Sequence, residues 1–159
     1  AASKVKSLID EEEQQALGLR IEPGLGEINA DSKRLRQVFA NLLSNASKFT
    51  AEKGRVLVMA KGARDGAVTI AIADTGIGMT HEQIVVAMKP FSQVQAHLPR
   101  TQEGTGLGLP LTMGIVKLHG GSLLLDSQPG AGTTAIVTLP RGQAAARPDS
   151  AFSPIGKVA

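Results

Sequence analysis

The chain has 159 residues, 42% of them hydrophobic and 19% charged, which is the size and composition of one globular domain rather than of a disordered or fibrous chain. It contains no cysteine, so disulfide scaffolds, thiolate metal sites and cysteine nucleophiles are excluded. The net charge of +3 weakly favours anionic ligands, but the sequence has neither a basic run with interleaved aromatic residues nor an apolar stretch of about 20 residues, so we expect no nucleic-acid partner and no direct membrane contact by this chain.

The first 30 residues predict a helix followed by an extended connection. Residues 3–17 are charged and nearly free of helix breakers, with apolar residues at helical spacing. Residues 18–30 contain Pro23, Gly24 and Gly26 with short apolar pieces around them, which indicates an extended segment with room for one short strand.

The clearest periodicity predicts an amphipathic helix that begins after the N-cap Asp31 and ends at Phe49. Its apolar residues recur at i, i+3, i+4 and i+7 and would pack on a core: Leu35, Val38, Phe39, Leu42, Leu43, Ala46 and Phe49. At about 100° per residue, four polar residues share a neighbouring arc of about 80° and form a polar stripe beside the buried face. These four are Gln37, Asn41, Asn45 and Lys48.

A hairpin and a long irregular stretch follow this helix. Residues 55–61 and 67–73 are rich in Val and Ile and flank an Asp-Gly turn, which predicts two antiparallel strands. Residues 75–105 combine Gly, Pro and polar clusters with one short helical piece at 82–88. Connections of that length are usually functional.

The last part of the domain reads as a helix and a second hairpin. Residues 107–118 predict a helix closed by a glycine pair, and residues 122–127 and 133–139 predict strands joined by a Pro-Gly turn. We therefore expect one domain over 1–140 and a flexible tail or linker over 141–159, which is rich in Ala, Pro, Gly and Ser.

Two glycine-rich motifs are candidate ligand sites. Residues 104–109, Gly-Thr-Gly-Leu-Gly-Leu, come just before a predicted helix, where free backbone N–H groups can receive phosphate, although a flexible linker would look similar. Residues 74–79, Asp-Thr-Gly-Ile-Gly-Met, follow directly on a predicted strand. Their carboxylate emerges at a strand end and is well placed for recognition, while a simple turn is the alternative.

Asn41 and Asn45 lie one helical turn apart on the polar stripe, with Lys48 beside them. Asn is a poor helix former, so two of them call for a reason. One reason is that an amide oxygen helps to hold a hydrated Mg²⁺ on substrate phosphates while Lys48 neutralises charge. The alternative is a solvated stripe of unusual composition. None of the three histidines has metal-ligand spacing, so we expect surface or capping roles for them.

Four motifs in order resemble the catalytic ATP-binding domain of sensor histidine kinases. They are residues 37–50 (QVFANLLSNASKFT), 74–79 (DTGIGM), 90–93 (PFSQ) and 104–109 (GTGLGL), which are similar to the N box, the first glycine box, the phenylalanine box and the second glycine box. The likeness runs from about Ala30 to Pro140. It implies the Bergerat fold, an α/β two-layer sandwich with a mixed, mainly antiparallel sheet of about five strands, about three helices on one face and a long ATP lid near residues 80–103.

The resemblance also implies roles for single residues, with ATP and Mg²⁺ as cofactors. Asn45 would bind Mg²⁺, Lys48 would contact phosphate, and Asp74 would accept the adenine amino group. Gly76 and Gly78 would let the chain pass the base. The remaining expected nucleotide contacts are Asn41, Phe49, Met79, Phe91 as anchor of the lid, Arg100 at the terminal phosphates, Gly104, Thr105, Gly106, Leu107, Gly108 and Leu109 in the second glycine box, and Thr133, which would support Asp74 through water.

The implied activity is that of the catalytic half of a kinase, which donates the γ-phosphate of ATP to a histidine on a separate dimerisation domain for onward transfer to a response regulator. His81 and Glu82 begin like an acceptor motif, but they lie in the lid, so we reject His81 as the acceptor. The gyrase, chaperone and mismatch-repair relatives of this fold carry a Glu where Asn41 stands. Asn cannot act as a general base, so transfer to histidine is favoured over hydrolysis.

Two other functions stay open from the sequence. One is a pseudokinase-type signalling or docking domain that binds nucleotide weakly or not at all, and the other is a stand-alone protein kinase or ATPase of the same fold. We expect this chain to be a monomer, because dimerisation would reside in the acceptor domain of a homodimeric parent. The parent is expected to be cytoplasmic, with an anchor in the inner membrane left open.

Overall fold

The computed structural model describes residues 16–25, 28–92 and 105–141. Within them lie five strands and three helices, whose bounds are β1 Ala16–Ile21, α1 Ser32–Phe49, β2 Arg55–Gly62, β3 Val68–Asp74, α2 His81–Ala87, α3 Gly108–Leu118, β4 Ser122–Gln128 and β5 Gly132–Leu139. The strands form one sheet in the order β1-β2-β3-β5-β4. β1 pairs with β2 in parallel and every other pairing is antiparallel, which confirms the expected mixed, mainly antiparallel sheet.

The helix predicted over 3–17 is wrong at its C-terminal end, where β1 begins. Ala16 pairs with Arg55 and Leu17 with Val56 at the edge of the sheet. This pairing with a segment about forty residues away decides the conformation, and local periodicity cannot indicate it. Residues 3–15 lie outside the described part of the chain. The short strand expected within 18–30 is confirmed, but it starts two residues earlier than that segment.

The periodic helix is confirmed as α1, with the predicted cap. The Asp31 carboxylate accepts hydrogen bonds from the backbone N–H groups of Lys33 at 2.9 Å and Arg34 at 3.1 Å, which satisfies two of the helix's free donors. At the other end, the Thr50 hydroxyl donates to the Ala46 carbonyl at 2.6 Å. Four residues of the predicted core face are buried, namely Leu35, Val38, Leu42 and Ala46. Its other members, Phe39, Leu43 and Phe49, are partly buried, as is the polar stripe.

One face of the sheet carries the core. α1 packs against α3 and β3, and α3 and α2 pack against β4. The core is built from inward-facing strand residues and from the apolar faces of α1 and α3: Leu35, Val38, Leu42, Ala46, Val56, Val58, Ile72, Ile115, Val116, Leu123, Ala135, Val137 and Leu139. The other face of the sheet exposes Met59 and Leu124 to solvent. The expected two-layer sandwich is therefore confirmed.

A histidine links the two long helices at one end of this layer. The Asp31 backbone N–H donates to Nε2 of His119 at 3.1 Å, so Nε2 is the unprotonated nitrogen and Nδ1 donates to the Ile115 carbonyl at 2.8 Å. This is the capping role expected for a histidine beside a glycine pair. None of the helices among the described residues is long and apolar enough to cross a membrane.

Candidate functional site

Asp74 is the last residue of β3, one residue beyond the predicted end of that strand. Its Oδ1 accepts hydrogen bonds from the backbone N–H groups of Gly76 at 2.8 Å and Thr133 at 3.2 Å. Burial raises the pKa of the Asp74 carboxyl above its ordinary value of 3.8, and these two N–H groups act in the opposite direction. Oδ2 accepts no hydrogen bond from the part of the chain that the structure describes, so it is available to a donor on a ligand.

The loop after Asp74 is held between the end of α1 and the β4–β5 turn. The Ile77 N–H donates to the Phe49 carbonyl at 3.2 Å, and the Ile77 carbonyl accepts from the Gly130 N–H at 2.7 Å. Two residues further on, the Met79 N–H donates to Oγ of Ser127 at 2.8 Å. These contacts fix the backbone of the first glycine box on both sides, so Asp74 projects from a rigid support.

The two glycines of this loop have packing reasons to be glycine. A Cβ on Gly76 would overlap the Phe49 carbonyl oxygen. Gly78 has a φ of +65°, and a Cβ there would overlap the Gln128 carbonyl oxygen of β4. The close approach of three backbone segments therefore requires glycine at both positions. That Gly76 and Gly78 also let the chain pass a base stays a prediction.

The polar stripe of α1 contacts α3 at Asn41. Nδ2 of Asn41 lies 3.4 Å from Oγ1 of Thr112 and 3.5 Å from the Gly108 carbonyl, both long hydrogen bonds that join α1 to α3. Asn45, one turn later, is partly buried, and its amide makes no hydrogen bond within the described residues. The Lys48 ammonium lies 5.3 Å from the centre of the Phe49 ring. Asn45 and Lys48 lie on the same stripe of α1 as Asn41, which contacts α3, and the helix ends at Phe49, whose carbonyl accepts from the loop after Asp74.

The N-terminus of α3 offers free backbone donors. Its N-cap residue Leu107 provides no side-chain hydrogen bond to the helix, and the Leu111 N–H is bonded to the Leu107 carbonyl. The N–H groups of Gly108 and Leu109 precede that bond and lack an acceptor within the helix, while Pro110 stands third, where no donor is needed. This helix end carries partial positive charge, which suits a phosphate, and the predicted phosphate contacts of Gly108 and Leu109 stay predictions.

The phenylalanine box lies against the second glycine box. Gly106 has a φ of +70°, and a Cβ there would stand 2.7 Å from the Ser92 carbonyl oxygen and 3.1 Å from the carbonyl carbon of Phe91. Phe91 itself has a φ of +59° and is 80% exposed. Its predicted role as lid anchor stays a prediction. Arg100 and Gly104 lie outside the described residues, and Thr105 is exposed.

Ser127 is the site residue that the sequence analysis missed. It lies on β4, and its hydroxyl contacts the loop at Met79 and β5 at Thr133, whose Oγ1 is 2.9 Å away. No motif includes it, and a serine near a turn is ordinary. The only signal in the sequence is its position two residues before the Pro-Gly turn, which becomes informative once the loop at 74–79 is seen to pack on that turn.

Comparison with known proteins identifies the class. Residues 30–143 match the family described as Histidine kinase-, DNA gyrase B-, and HSP90-like ATPase, so the chain belongs to this family. Within it, the chain is similar to the Non-motile and phage-resistance protein of Caulobacter vibrioides, at 44% identity over 79% of this chain and 16% of that protein. It is also similar to the histidine protein kinase DivJ of the same organism, at 44% identity over 74% of this chain and 19% of DivJ. The chain thus spans less than a fifth of each of these two curated relatives.

Solved structures agree on the fold. The Mycobacterial sensor histidine kinase MprB has a TM-score of 0.72 and 25% identity, covering 87% of this chain and 93% of that one. Full-length ShkA in complex with AMPPNP has a TM-score of 0.73 and 28% identity, covering 91% of this chain and 30% of ShkA. The catalytic domain of the histidine kinase ThkA, 23% identical with a TM-score of 0.75, covers 87% of this chain and 90% of that chain and bears on the fold alone. The predicted fold of histidine kinase catalytic domains is confirmed.

Proposed function

We propose that this chain binds Mg²⁺–ATP and donates the γ-phosphate to a histidine on a separate dimerisation domain, from which it passes to the receiver domain of a response regulator. The observation that carries the proposal is Asp74, a carboxylate fixed at a strand end with one oxygen held by two backbone N–H groups and the other open. Membership of the ATPase family and similarity to named histidine kinases support it. Because dimerisation is assigned to the acceptor domain, the chain alone is expected to be monomeric.

Asp74 would recognise the base. Oδ2 accepts but cannot donate while the carboxyl is ionised, so it suits the exocyclic amino group of adenine. A hydrogen bond to a charged acceptor contributes more than a neutral one, and its geometry is set in advance by Gly76 and Thr133. In this proposal Gly76 and Gly78 also let the chain pass the base, in addition to the close backbone packing that requires glycine at both positions.

Asn45, Lys48 and the start of α3 would hold the phosphates. A Mg²⁺ ion keeps several waters and takes oxygen ligands, so the single free amide oxygen of Asn45 fits an ion held mainly by phosphate oxygens and water. When bound, the ion would neutralise charge on the transferred phosphoryl group. Lys48 adds a positive charge on the same helix face, and the N–H groups of Gly108 and Leu109 add uncharged donors.

Asn41 supports transfer rather than hydrolysis. Its amide is engaged with Thr112 and the Gly108 carbonyl on α3, and an amide has no useful basicity. A water molecule near this residue would therefore find no general base there, whereas an acceptor imidazole is itself a nucleophile. What this chain contributes is positioning and charge neutralisation, which phosphoryl transfer chiefly requires.

The test uses the longer protein that contains the acceptor domain. Incubation with γ-labelled ATP is expected to give an acid-labile phosphohistidine, and Asn45→Ala is expected to abolish it. Ser44→Ala changes the exposed neighbour on α1 and is expected to label normally. ATP binding without label in the unsubstituted protein would favour a docking or pseudokinase domain. Release of free phosphate without a phosphohistidine intermediate would favour an ATPase, and either result contradicts the proposal.

A further inference from the structure

The Ser127 hydroxyl joins three segments beside Asp74. Its Oγ accepts a hydrogen bond from the Met79 N–H at 2.8 Å, lies 3.0 Å from the Gly132 carbonyl oxygen and lies 2.9 Å from Oγ1 of Thr133. The serine is partly buried near the end of β4. One small side chain therefore connects the first glycine box to both residues that open β5.

Proton counting fixes the direction of these bonds. A backbone N–H can only donate and a carbonyl oxygen can only accept, while a hydroxyl has one proton and two lone pairs. If all three contacts are hydrogen bonds, the Ser127 proton goes to the Gly132 carbonyl. The Thr133 hydroxyl must then donate its own proton to Ser127. Oγ1 of Thr133 has no second proton, so toward any other group it can only accept.

The strand register places Thr133 beside Asp74. Ser127 pairs with Thr133 between β4 and β5, and Ala73 pairs with Thr134 between β3 and β5, so the next step brings Asp74 opposite Thr133. The 3.2 Å bond from the Thr133 N–H to Asp74 agrees with that step. Asp74 lies two residues after the buried Ile72 on β3, and Thr133 lies two residues before the buried Ala135 on β5. Because side chains two residues apart on a strand point to the same face, both side chains lie on the helix-covered face of the sheet.

We propose that Ser127 is a positioning residue that fixes the Thr133 hydroxyl as a hydrogen-bond acceptor next to Asp74, so that the site offers acceptors only to the edge of the base. The inference rests on the proposed function and deepens it. A base with an amino group at its six position satisfies two neighbouring acceptors, whereas a base with a carbonyl there meets them with a third acceptor. Ser127 acts on this choice through Thr133 and not by contact with the reacting phosphate.

The test compares ATP with inosine triphosphate, which has a carbonyl in place of the adenine amino group. Binding of each, with Mg²⁺, is measured by calorimetry on this chain. In Ser127→Ala the Thr133 hydroxyl loses its acceptor and can turn to donate. The ratio of ATP to inosine triphosphate affinity is expected to fall about three- to tenfold, the size of one neutral hydrogen bond. Ser127→Thr keeps a hydroxyl and should restore the ratio, and Ser122→Ala, an exposed serine on the same strand, should not change it.

A double substitution separates orientation from general damage. In a Thr133→Val background no hydroxyl remains to be oriented, so adding Ser127→Ala is expected to leave the affinity ratio unchanged. An equal loss of affinity for both nucleotides in Ser127→Ala, or a fall in the ratio that persists beside Thr133→Val, overturns the inference alone. An unsubstituted chain that binds neither nucleotide overturns the proposed function and this inference with it. If Ser127→Ala does not fold, Ser127→Cys, a weaker hydrogen-bonding group of similar size, takes its place with the same expected direction.

Discussion

Asp74→Asn changes the charge and one donor of the side chain while keeping its shape. The Asn carbonyl oxygen can still accept from the Gly76 and Thr133 N–H groups, which lie 2.8 Å and 3.2 Å from Oδ1 of Asp74. The amide nitrogen then occupies the position of Oδ2, where it points a donor at the adenine amino group, which is also a donor. We therefore expect the substitution to remove base recognition and leave the local fold in place.

The loss of binding can be bounded from the bond that disappears. A hydrogen bond to a charged group contributes about 1.5 to 3 kcal/mol. At about 1.4 kcal/mol for each tenfold change, the Kd for ATP should rise roughly 10- to 150-fold. At an ATP concentration of about 100 times the parent Kd, binding stabilises the parent by about 2.7 kcal/mol, and a variant with a hundredfold weaker Kd by only about 0.4 kcal/mol.

The stability of the nucleotide-free fold should not fall. Burial raises the pKa of Asp74, so its contribution to stability is present below the unfolded pKa and is lost as the pH rises through the folded pKa. At pH 7 the ionised carboxylate therefore opposes folding, and Asn removes that opposition. The variant without nucleotide is expected to unfold at the same temperature as the parent or at a higher one.

Thermal unfolding with and without Mg²⁺–ATP measures both quantities. The parent midpoint should rise by roughly 5 to 10 °C, and the Asp74→Asn midpoint by about 1 °C, at the same ATP concentration. Asp126→Asn, the same exchange at an exposed position of β4, is the matched control and should keep the full rise. A full rise in Asp74→Asn would refute the assignment of the base site. A nucleotide-free variant that melts several degrees lower would refute the argument from the raised pKa.

Three further predictions concern pH, the glycine loop and the core. As the pH falls through the raised pKa of Asp74, protonation of this carboxyl should weaken ATP binding in calorimetric titrations. Asp74→Asn has no carboxyl to protonate at this position and serves as the baseline. Equal pH profiles of ATP affinity in the two proteins would contradict the prediction. Gly78→Ala should lower the free energy of unfolding in urea by about 2 to 5 kcal/mol, because both the positive φ of Gly78 and the β4 backbone oppose a Cβ. Gly130→Ala is the control, since Gly130 also has a positive φ but a Cβ there meets open space, and it should cost about 1 to 2 kcal/mol. Leu139→Ala, 1% exposed, should cost about 2 to 5 kcal/mol, and Leu124→Ala, 61% exposed, less than about 1 kcal/mol; similar losses for the two would place the core elsewhere.

The sequence alone determined the helices and strands that are marked by nearby signals, such as a capping residue, a helical period or a turn. The bounds of α1 follow from Asp31 and a 3.6-residue period, because capping and one-sided burial leave a direct trace in the spacing of residue types. Both hairpins follow from alternating apolar runs around short glycine turns. The motif set also singled out Asn45 and Asp74 as candidate site residues, because the chemistry of amides and carboxylates limits what such residues can do on a helix face or at a strand end.

Only the tertiary structure decided which distant segments meet. β1 is a strand because β2 supplies its hydrogen bonds, although the residues up to Leu17 read as the end of a helix. The proximity of Thr133 to Asp74 depends on a β3–β5 register across about sixty residues of chain. The role proposed for Ser127 depends on three partners that no local pattern indicates. Sequence spacing records the preference of a segment for one conformation, whereas the role of a hydroxyl is set by the donors and acceptors that folding brings around it.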